Sequence, residues 1–285
     1  MSKDKLYHKR RVFMSITADV HVHTSYSGDA ESSMDEMIQK AISLGMKQIC
    51  FTDHNDFDFP YREHDTPDMF LLNTDAYLFD ILRAREKYAG QIKILFGIEL
   101  GLAPELKRKN LILAKSHDFD FIIGSSHLCH GRDPYYADFY EGREEKAAYR
   151  EYFESIIENV KVFTQLDVYG NLDYVVRYGP TKNQNFSYTD HADIIDEILR
   201  TLIENEKGIE VNTGGFRCDI GTTNPCFDIV KRYKELGGEI ITVGSDAHFA
   251  DHLQDHFEDA AQMLRDIGFK YYCVFENRIP EFIKL

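Results

Sequence analysis

No apolar run in this chain reaches the length of a membrane-spanning helix, which speaks against a helical membrane protein. The opening stretch, MSKDKLYHKRRVFMSI, is basic but lacks the apolar core of a secretory signal, so a cytoplasmic enzyme is expected. Cysteine is sparse and scattered. Cys50, Cys129, Cys218, Cys226 and Cys273 are odd in number and never spaced as CxxC, which argues against a disulfide framework or zinc ribbon and for reduced, mostly buried thiols. Cations are in deficit: 33 Lys and Arg face 48 Asp and Glu, and the formal charge of −15 opposes any nucleic-acid partner. A small anionic substrate stays open, because a local cation cluster can dominate the field inside a pocket. There is no repeat of fixed period and no low-complexity segment.

What is present is length and alternation. At 285 residues with a 43% apolar share, the chain suits one large domain over residues 1–285, led by a basic segment at 1–14. Short apolar runs (SITADVHV, QICFT, IKILFGI, FDFIIGS, LDVYG, GIEVN, EIITVG and KYYCVF) alternate with helical patterns. Ser33 and Glu36 form a capping box ahead of the stripe Met34, Met37, Ile38, Ala41 and Ile42. Strands alternating with helices predict a parallel sheet with right-handed crossovers, and seven or eight such units suffice to close a barrel. The long polar and aromatic stretch at 55–73, which includes His64, has the length of a lid or specificity loop.

The strand ends carry the chemistry. In DVHVHTSYSGD, side chains alternate faces, so His21 and His23 project together from one side with Asp19 behind them. Two such imidazoles lie roughly 6–7 Å apart at Cα, close enough to reach one ion. Successive strands then finish at Asp53 and His54, at Glu99, at Ser125, Ser126 and His127, at Asn171 and Asp173, at Asn212 and Arg217, and at Asp246 and His248. In a β/α barrel these carboxyl ends open on one face, where active sites sit.

Taken in order, HVHTSYSGD, FTDHN, GIELG, GSSH, GNLDYVVRYG, NTGGFR and GSDAH resemble the PHP (polymerase and histidinol phosphatase) family, and within it the histidinol-phosphate phosphatase type. The resemblance runs from about Asp19 to His248. It implies an α/β fold, a distorted (β/α)7 TIM-like barrel, holding two or three divalent ions (Zn, Mn or Fe). On this resemblance the first ion would be held by His21, His23, Glu99 and Asp246. Glu99 would bridge to a second ion bound by His127, and a third would take Asp29, His54 and His248. The family's Gly-His after the fifth strand is here Gly170-Asn171. An Asn carbonyl suits a hard ion such as Mn²⁺ or Mg²⁺ better than zinc, so a ligand role for Asn171 is open. Arg177 and Arg217 look like the family's phosphate clamp, since guanidinium matches phosphate bidentately.

Three divalent ions among the carboxylates of Asp29, Glu99 and Asp246 would leave a cluster charge of about +3, or about +2 with one bridging hydroxide. That balances a phosphomonoester dianion. The expected reaction is in-line attack on phosphorus by hydroxide bridging the first and second ions, without a covalent phosphoenzyme. The leaving-group acid is unassigned; Asp53 could fill that role or orient a histidine. The leading expectation is hydrolysis of L-histidinol phosphate in histidine biosynthesis. The alternatives are a PHP phosphoesterase acting on nucleotides or nucleic-acid ends, and a metal-binding domain without catalysis. Other candidates read as structural: His252 and His256, four apart on a helix, as a solvated face; His117 as a stabilising group at the opposite end; His130 and Cys129 as loop residues near the mouth. His64 on the long loop could contact substrate.

Overall fold

A computed structural model describes residues 16–63 and 65–285; the basic segment 1–14 and His64 lie outside the described residues. Strands β1 (Ala18–Val22), β2 (Gln48–Phe51), β3 (His54–Asn55), β4 (Lys93–Gly101), β5 (Phe121–Ser125), β6 (Val168–Tyr169), β7 (Gly208–Asn212) and β8 (Ile241–Gly244) build one parallel sheet. Its order is β1-β2-β4-β5-β6-β7-β8, with β3 continuing β2 along β4 in unbroken register. The sheet's two edges meet at the rim where the strands finish. There the Asp246 N–H donates to the His21 carbonyl and the His23 N–H to the Ala247 carbonyl, both at 2.9 Å. The result is the seven-strand β/α barrel expected from the alternation.

Between the strands run helices α1 (Met34–Ser43), α2 (Thr74–Lys87), α3 (Lys107–Ala114), α4 (Glu145–Val162), α5 (Tyr174–Tyr178), α6 (Ala192–Glu204), α7 (Phe227–Glu235) and α8 (Phe257–Ile267), of which the short α5 sits at the mouth and lines the cavity. α1 starts on the capping box read from the sequence. Ser33 Oγ accepts the Glu36 N–H, and the Glu36 carboxylate accepts the Ser33 N–H at 2.8 Å, satisfying two otherwise orphaned donors. Met34, Met37, Ile38 and Ala41 are its buried stripe, and Ile194, Ile195, Ile198, Leu199 and Leu202 serve α6 in the same way.

KYYCVF does not add an eighth wall strand. It is β9 (Tyr271–Glu276), which reverses into antiparallel β10 (Ile279–Lys284) as a separate two-stranded ribbon. The reversal rests on Asn277 and Arg278, with φ of 52° and 66°, the paired left-handed conformation of a tight hairpin. Asn-Arg is a weaker turn signal than Asn-Gly, which is why the sequence pattern did not mark the hairpin.

Alternation sets what faces inward. Along β7, Ile209 and Val211 take one face while Glu210 and Asn212 take the other, all fully buried. A charged layer inside a barrel needs room. At Gly244 a Cβ would sit 2.3 Å from His21 Cβ and 2.6 Å from Glu210 Oε1, so only glycine lets those two side chains pass.

Candidate metal centre

β1, β4 and the turn after β8 bring four donors to one point. His21 Nε2 is 3.0 Å from His23 Nε2, 3.3 Å from Glu99 Oε2 and 3.7 Å from Asp246 Oδ1. His23 Nε2 lies 3.5 Å from Glu99 Oε2 and 3.4 Å from Asp246 Oδ1. Bonds of about 2.0–2.1 Å to a tetrahedral ion would set its ligands roughly 3.3–3.4 Å apart, and these separations bracket that value. Glu99 Oε2 is buried without a hydrogen-bond partner although three imidazole nitrogens surround it at 3.0–3.5 Å. An acceptor stranded in this way is costly unless a cation completes it. The donor set fits a divalent ion.

Two further groups adjoin it. Glu99 Oε1 lies 3.3 Å from His127 Nε2, while His54 Nδ1 is 3.0 Å from Glu99 Oε2 and is itself unpartnered. β3 and β4 pair His54 directly with Glu99, so strand register sets that contact. On the open side, Asp29 Oδ2 is 3.2 Å from His248 Nε2 and 3.8 Å from His54 Nε2. His54 thus stands between the two groups, one ring nitrogen toward each.

The charges show what the cluster lacks. Burial works against ionised Glu99 and Asp246, yet the surrounding imidazoles hold both well below the usual carboxylate range. Burial likewise works against protonated His248, yet the carboxylates of Asp29 and Asp246 push it up to about 9. His23, buried and facing His54 and His248, is driven down to about 3. Without ions the outer imidazoles take up protons in their place; the site is built for positive charge.

Four of the five metal-type histidines are also held from behind. His21 Nδ1 meets Glu210 Oε1 at 2.6 Å, and His127 Nδ1 meets Asp56 Oδ1 at 2.7 Å. His23 Nδ1 meets Ser27 Oγ at 3.1 Å, and His248 Nδ1 lies 3.1 Å from the Asp246 carbonyl. Such partners fix the tautomer and ring orientation and raise ligand basicity. Asp53 belongs to this layer. Its Oδ1 accepts the Thr24 N–H, the Ser27 N–H and Ser27 Oγ at 2.7–3.1 Å, so it positions Ser27 and through it His23. It does not line the cavity, and an acid role is not supported by where it sits. Sequence reasoning missed Glu210 and Asp56. Both were signalled: Glu210 is a carboxylate inside an apolar parallel strand, and Asp56 follows His54 by two residues.

Asn171 presents its donor rather than its carbonyl to the cluster. Its Nδ2 gives a 3.0 Å hydrogen bond to Glu99 Oε1, while its Oδ1 accepts from Arg177 at 3.0 Å and Asn212 at 2.7 Å. With both lone pairs occupied, the carbonyl has none left for an ion.

The two arginines separate. Arg177, only 5% exposed, lines the cavity. Its Nε donates to Asn224, one terminal nitrogen to Asp246 Oδ2 at 3.2 Å and the other to Asn171 Oδ1 at 3.0 Å. Among the described residues, one of its N–H donors on each terminal nitrogen is left free, a fork suited to phosphate. Arg217 does not line the cavity. The 3₁₀ turn Thr213–Cys218 carries it behind β8, where it donates to the Ser245 and Asp246 carbonyls at 2.5 and 3.1 Å and faces Asp255 at 3.5 Å. Of the expected clamp, Arg177 lines the cavity and Arg217 stands beside Asp246, whose carbonyl it holds.

The remaining candidates fall away from the cluster. His117 pairs with Asp75 at 2.9 Å and His130 with Glu151 and Glu158 at 3.3 and 3.1 Å. His252 and His256 share no helix: one ends a 3₁₀ turn, and the other, at φ 56°, precedes α8. All five cysteines are free, and no described helix is long and apolar enough to cross a membrane.

The cavity over the cluster, about 320 Å³, is lined on its inner side by Asp29, His54, His127, Asn171, Arg177 and His248. That volume lies near the lower end of small-molecule sites, roughly 300–1,000 Å³.

Comparisons with known proteins agree with this geometry. The PHP domain family model matches residues 19–214. The histidinol-phosphatase of Lactococcus lactis subsp. lactis (strain IL1403) is 33% identical over 91% of this chain and 94% of its own length. A probable histidinol-phosphatase of Clostridium acetobutylicum is 30% identical over 93% and 98% respectively. The crystal structure of histidinol phosphate phosphatase from the same Lactococcus, complexed with zinc, L-histidinol and phosphate, superposes with a TM-score of 0.83 at 30% identity, covering 93% of this chain and 98% of that one. With its strand-end ligand set, its barrel and these matches, the chain belongs to the PHP domain family.

Proposed function

We propose that this protein is a metal-dependent phosphomonoesterase that hydrolyses L-histidinol phosphate to L-histidinol and phosphate, a step of histidine biosynthesis. The observation that carries the reading is the closely spaced set His21, His23, Glu99 and Asp246 beneath a cavity lined by a buried arginine that keeps two N–H groups free among the described residues. The relatives named for this activity and the barrel solved with zinc, L-histidinol and phosphate support the substrate.

Those four residues would hold one ion, Glu99 and His127 would contribute to a second, and Asp29, His54 and His248 to a third, drawn from Zn, Mn or Fe. Bound there, such ions supply Lewis acidity: they offset phosphoryl charge and make water a competent nucleophile near neutral pH. The rest falls to the chain. Arg177 grips two phosphoryl oxygens with its free N–H groups and stabilises the charge that builds on them during in-line displacement. Its own hydrogen bonds to Asn224, Asn171 and Asp246 fix the fork in advance, so little reorganisation is needed. Glu210, Asp56 and the Asp53–Ser27 pair keep the imidazoles aimed. Asn171 and Ser125, whose Oγ donates to Glu99 Oε1 at 2.6 Å, fix the orientation of the Glu99 carboxylate.

Phosphate release from L-histidinol phosphate by chelator-treated protein, with and without added Zn²⁺ or Mn²⁺, tests the reading. Turnover that returns with the ion supports it; a protein that regains its metal and turns over no phosphomonoester ends it.

A further inference from the structure

Asp173 stands directly before α5, where an aspartate ordinarily caps its own helix by accepting one of the first free N–H groups. Here its side chain makes no such bond. Both oxygens reach instead to the segment that follows β7. Oδ1 accepts the Asn224 amide Nδ2 at 2.6 Å, and Oδ2 accepts the Cys226 N–H at 2.9 Å. Asp173 is 1% exposed and Asn224 fully buried, and neither lines the cavity.

Asn224 is held at its other end by the phosphate arginine. Its backbone exchanges two hydrogen bonds with Asn212, the last residue of β7, at 2.8 and 2.9 Å, and its Oδ1 accepts the Nε–H of Arg177. A side-chain amide has one donor end and one acceptor end, and a half-turn exchanges them. Arg177 can only donate and an ionised Asp173 can only accept, so the two together admit one orientation of the amide between them. Turned over, it would set N–H against N–H and oxygen against oxygen. Room is kept for the oxygen as well: a Cβ at Gly215 would lie 2.8 Å from Asn224 Oδ1. Of the bonds Arg177 makes to Asn224, Asp246 and Asn171, only the first fixes the guanidinium without occupying a terminal nitrogen of the fork.

We propose that Asp173 is a positioning residue for phosphate recognition: by fixing the Asn224 amide it holds the Arg177 guanidinium with its free N–H groups turned to the phosphoryl group. The proposal rests on the phosphomonoesterase reading and adds what aims its arginine. Asp173 acts on the substrate through two side chains in series, so its effect must vanish when the second of them is removed.

The experiment measures calorimetric binding of inorganic phosphate, kcat/KM on L-histidinol phosphate and metal content for metal-loaded wild type and variants. Asp173→Asn keeps the shape but lets an NH2 group face Asn224, which frees that amide to turn. Phosphate affinity and kcat/KM should each fall about 10- to 100-fold with metal content unchanged. In an Arg177→Ala background the same substitution should cost nothing further. Asp173→Asn combined with Asn224→Asp exchanges carboxylate and amide and keeps every bond: the new amide donates to the new carboxylate, which accepts from Arg177, and the Cys226 N–H meets the amide oxygen. That pair should return to within about threefold of wild type. A loss of equal size with and without Arg177, or an exchanged pair as impaired as the single variant, would overturn the proposal by leaving Asp173 a structural tie. Unchanged phosphate affinity and turnover in Asp173→Asn would overturn it with the hydrolase reading intact. Should the single variant not fold, the exchanged pair decides: phosphate binding near wild type supports the role, and binding as weak as in Arg177→Ala overturns it. A wild type that binds phosphate in an Asp173- and Arg177-dependent way yet hydrolyses no phosphomonoester would uphold the positioning role and sink the hydrolase.

Discussion

The inner and outer halves of the active cavity are built by different means. The inner half hangs on strand ends: His21 on β1, His54 on β3, Glu99 on β4, and His127, Asn171 and Asp246 within a residue or two of β5, β6 and β8. The side chains there are buried or nearly so, and His21 is braced by Glu210 and His127 by Asp56. The outer half comes from two long loops, joined by the exposed Arg62–Asp138 pair, whose side chains are about half exposed. Rigid strands suit chemistry that tolerates little displacement, and loops suit the choice of leaving group. Substitutions should therefore divide the same way, with inner changes striking turnover and metal, and outer changes striking KM.

The largest effect is expected at the centre of the inner half. Glu99→Gln removes the one carboxylate shared by two donor groups, and turnover on any phosphomonoester should fall about 1,000-fold or more together with bound metal, measured by phosphate release and elemental analysis. Normal metal content with normal turnover would break the distinction between the halves.

The two arginines sharpen it next. Arg177→Ala deletes the free N–H fork and leaves Asp246 Oδ2 and Asn171 Oδ1 short of a donor, so kcat/KM should drop by roughly 100-fold or more. Arg217→Ala removes the bonds to the Ser245 and Asp246 carbonyls and the pairing with Asp255, and should cost about tenfold. Steady-state kinetics that reverse this order would return Arg217 to the phosphate.

Removing the braces should give an intermediate signature. Glu210→Gln and Asp56→Asn keep the size of each partner while weakening its hold on His21 or His127, and metal affinity should fall about 10- to 100-fold, read by competition with a chromophoric chelator.

The gentlest test is pH. In the metal-free protein His248 carries its proton up to about 9, above the ordinary histidine value. An ion taken by Asp29, His54 and His248 must displace that proton at any lower pH. Affinity for that ion should thus rise with pH, up to about tenfold per unit, and level off near 9. Chelator competition from pH 7 to 10 measures the slope; an affinity that falls as pH rises would contradict the charge assignment.

The same division governs what could be read from sequence. The inner residues were legible because strand alternation places His21 beside His23 and because successive strand ends converge on one rim, so order along the chain translates into proximity. Glu210 and Asp56 obey that alternation and could have been found by asking which acids share a face with the histidines. The direction of Arg217 was not legible, because a 3₁₀ turn, not a strand, sets it, and turn geometry leaves no periodic trace. Asn171 departed from the family's histidine, and only its neighbours decide that its amide turns to Glu99. Asp133, Tyr135 and Tyr136 lie on a loop whose pattern gives no hint that it folds over the cluster. His252 and His256 show the converse: spacing of four suggested a helix, and a left-handed residue at 256 ends that assumption.

One measurement bears most directly on the claim that strand-end side chains hold ions that hydrolyse a phosphomonoester. It is phosphate release from L-histidinol phosphate followed while the protein is stripped of metal and then titrated with Zn²⁺, with metal content determined at each step. Activity should disappear with the metal and return in proportion to the ion taken up, and Glu99→Gln should show neither the uptake nor the return. Undiminished phosphate release from protein shown to be metal-free would contradict the account.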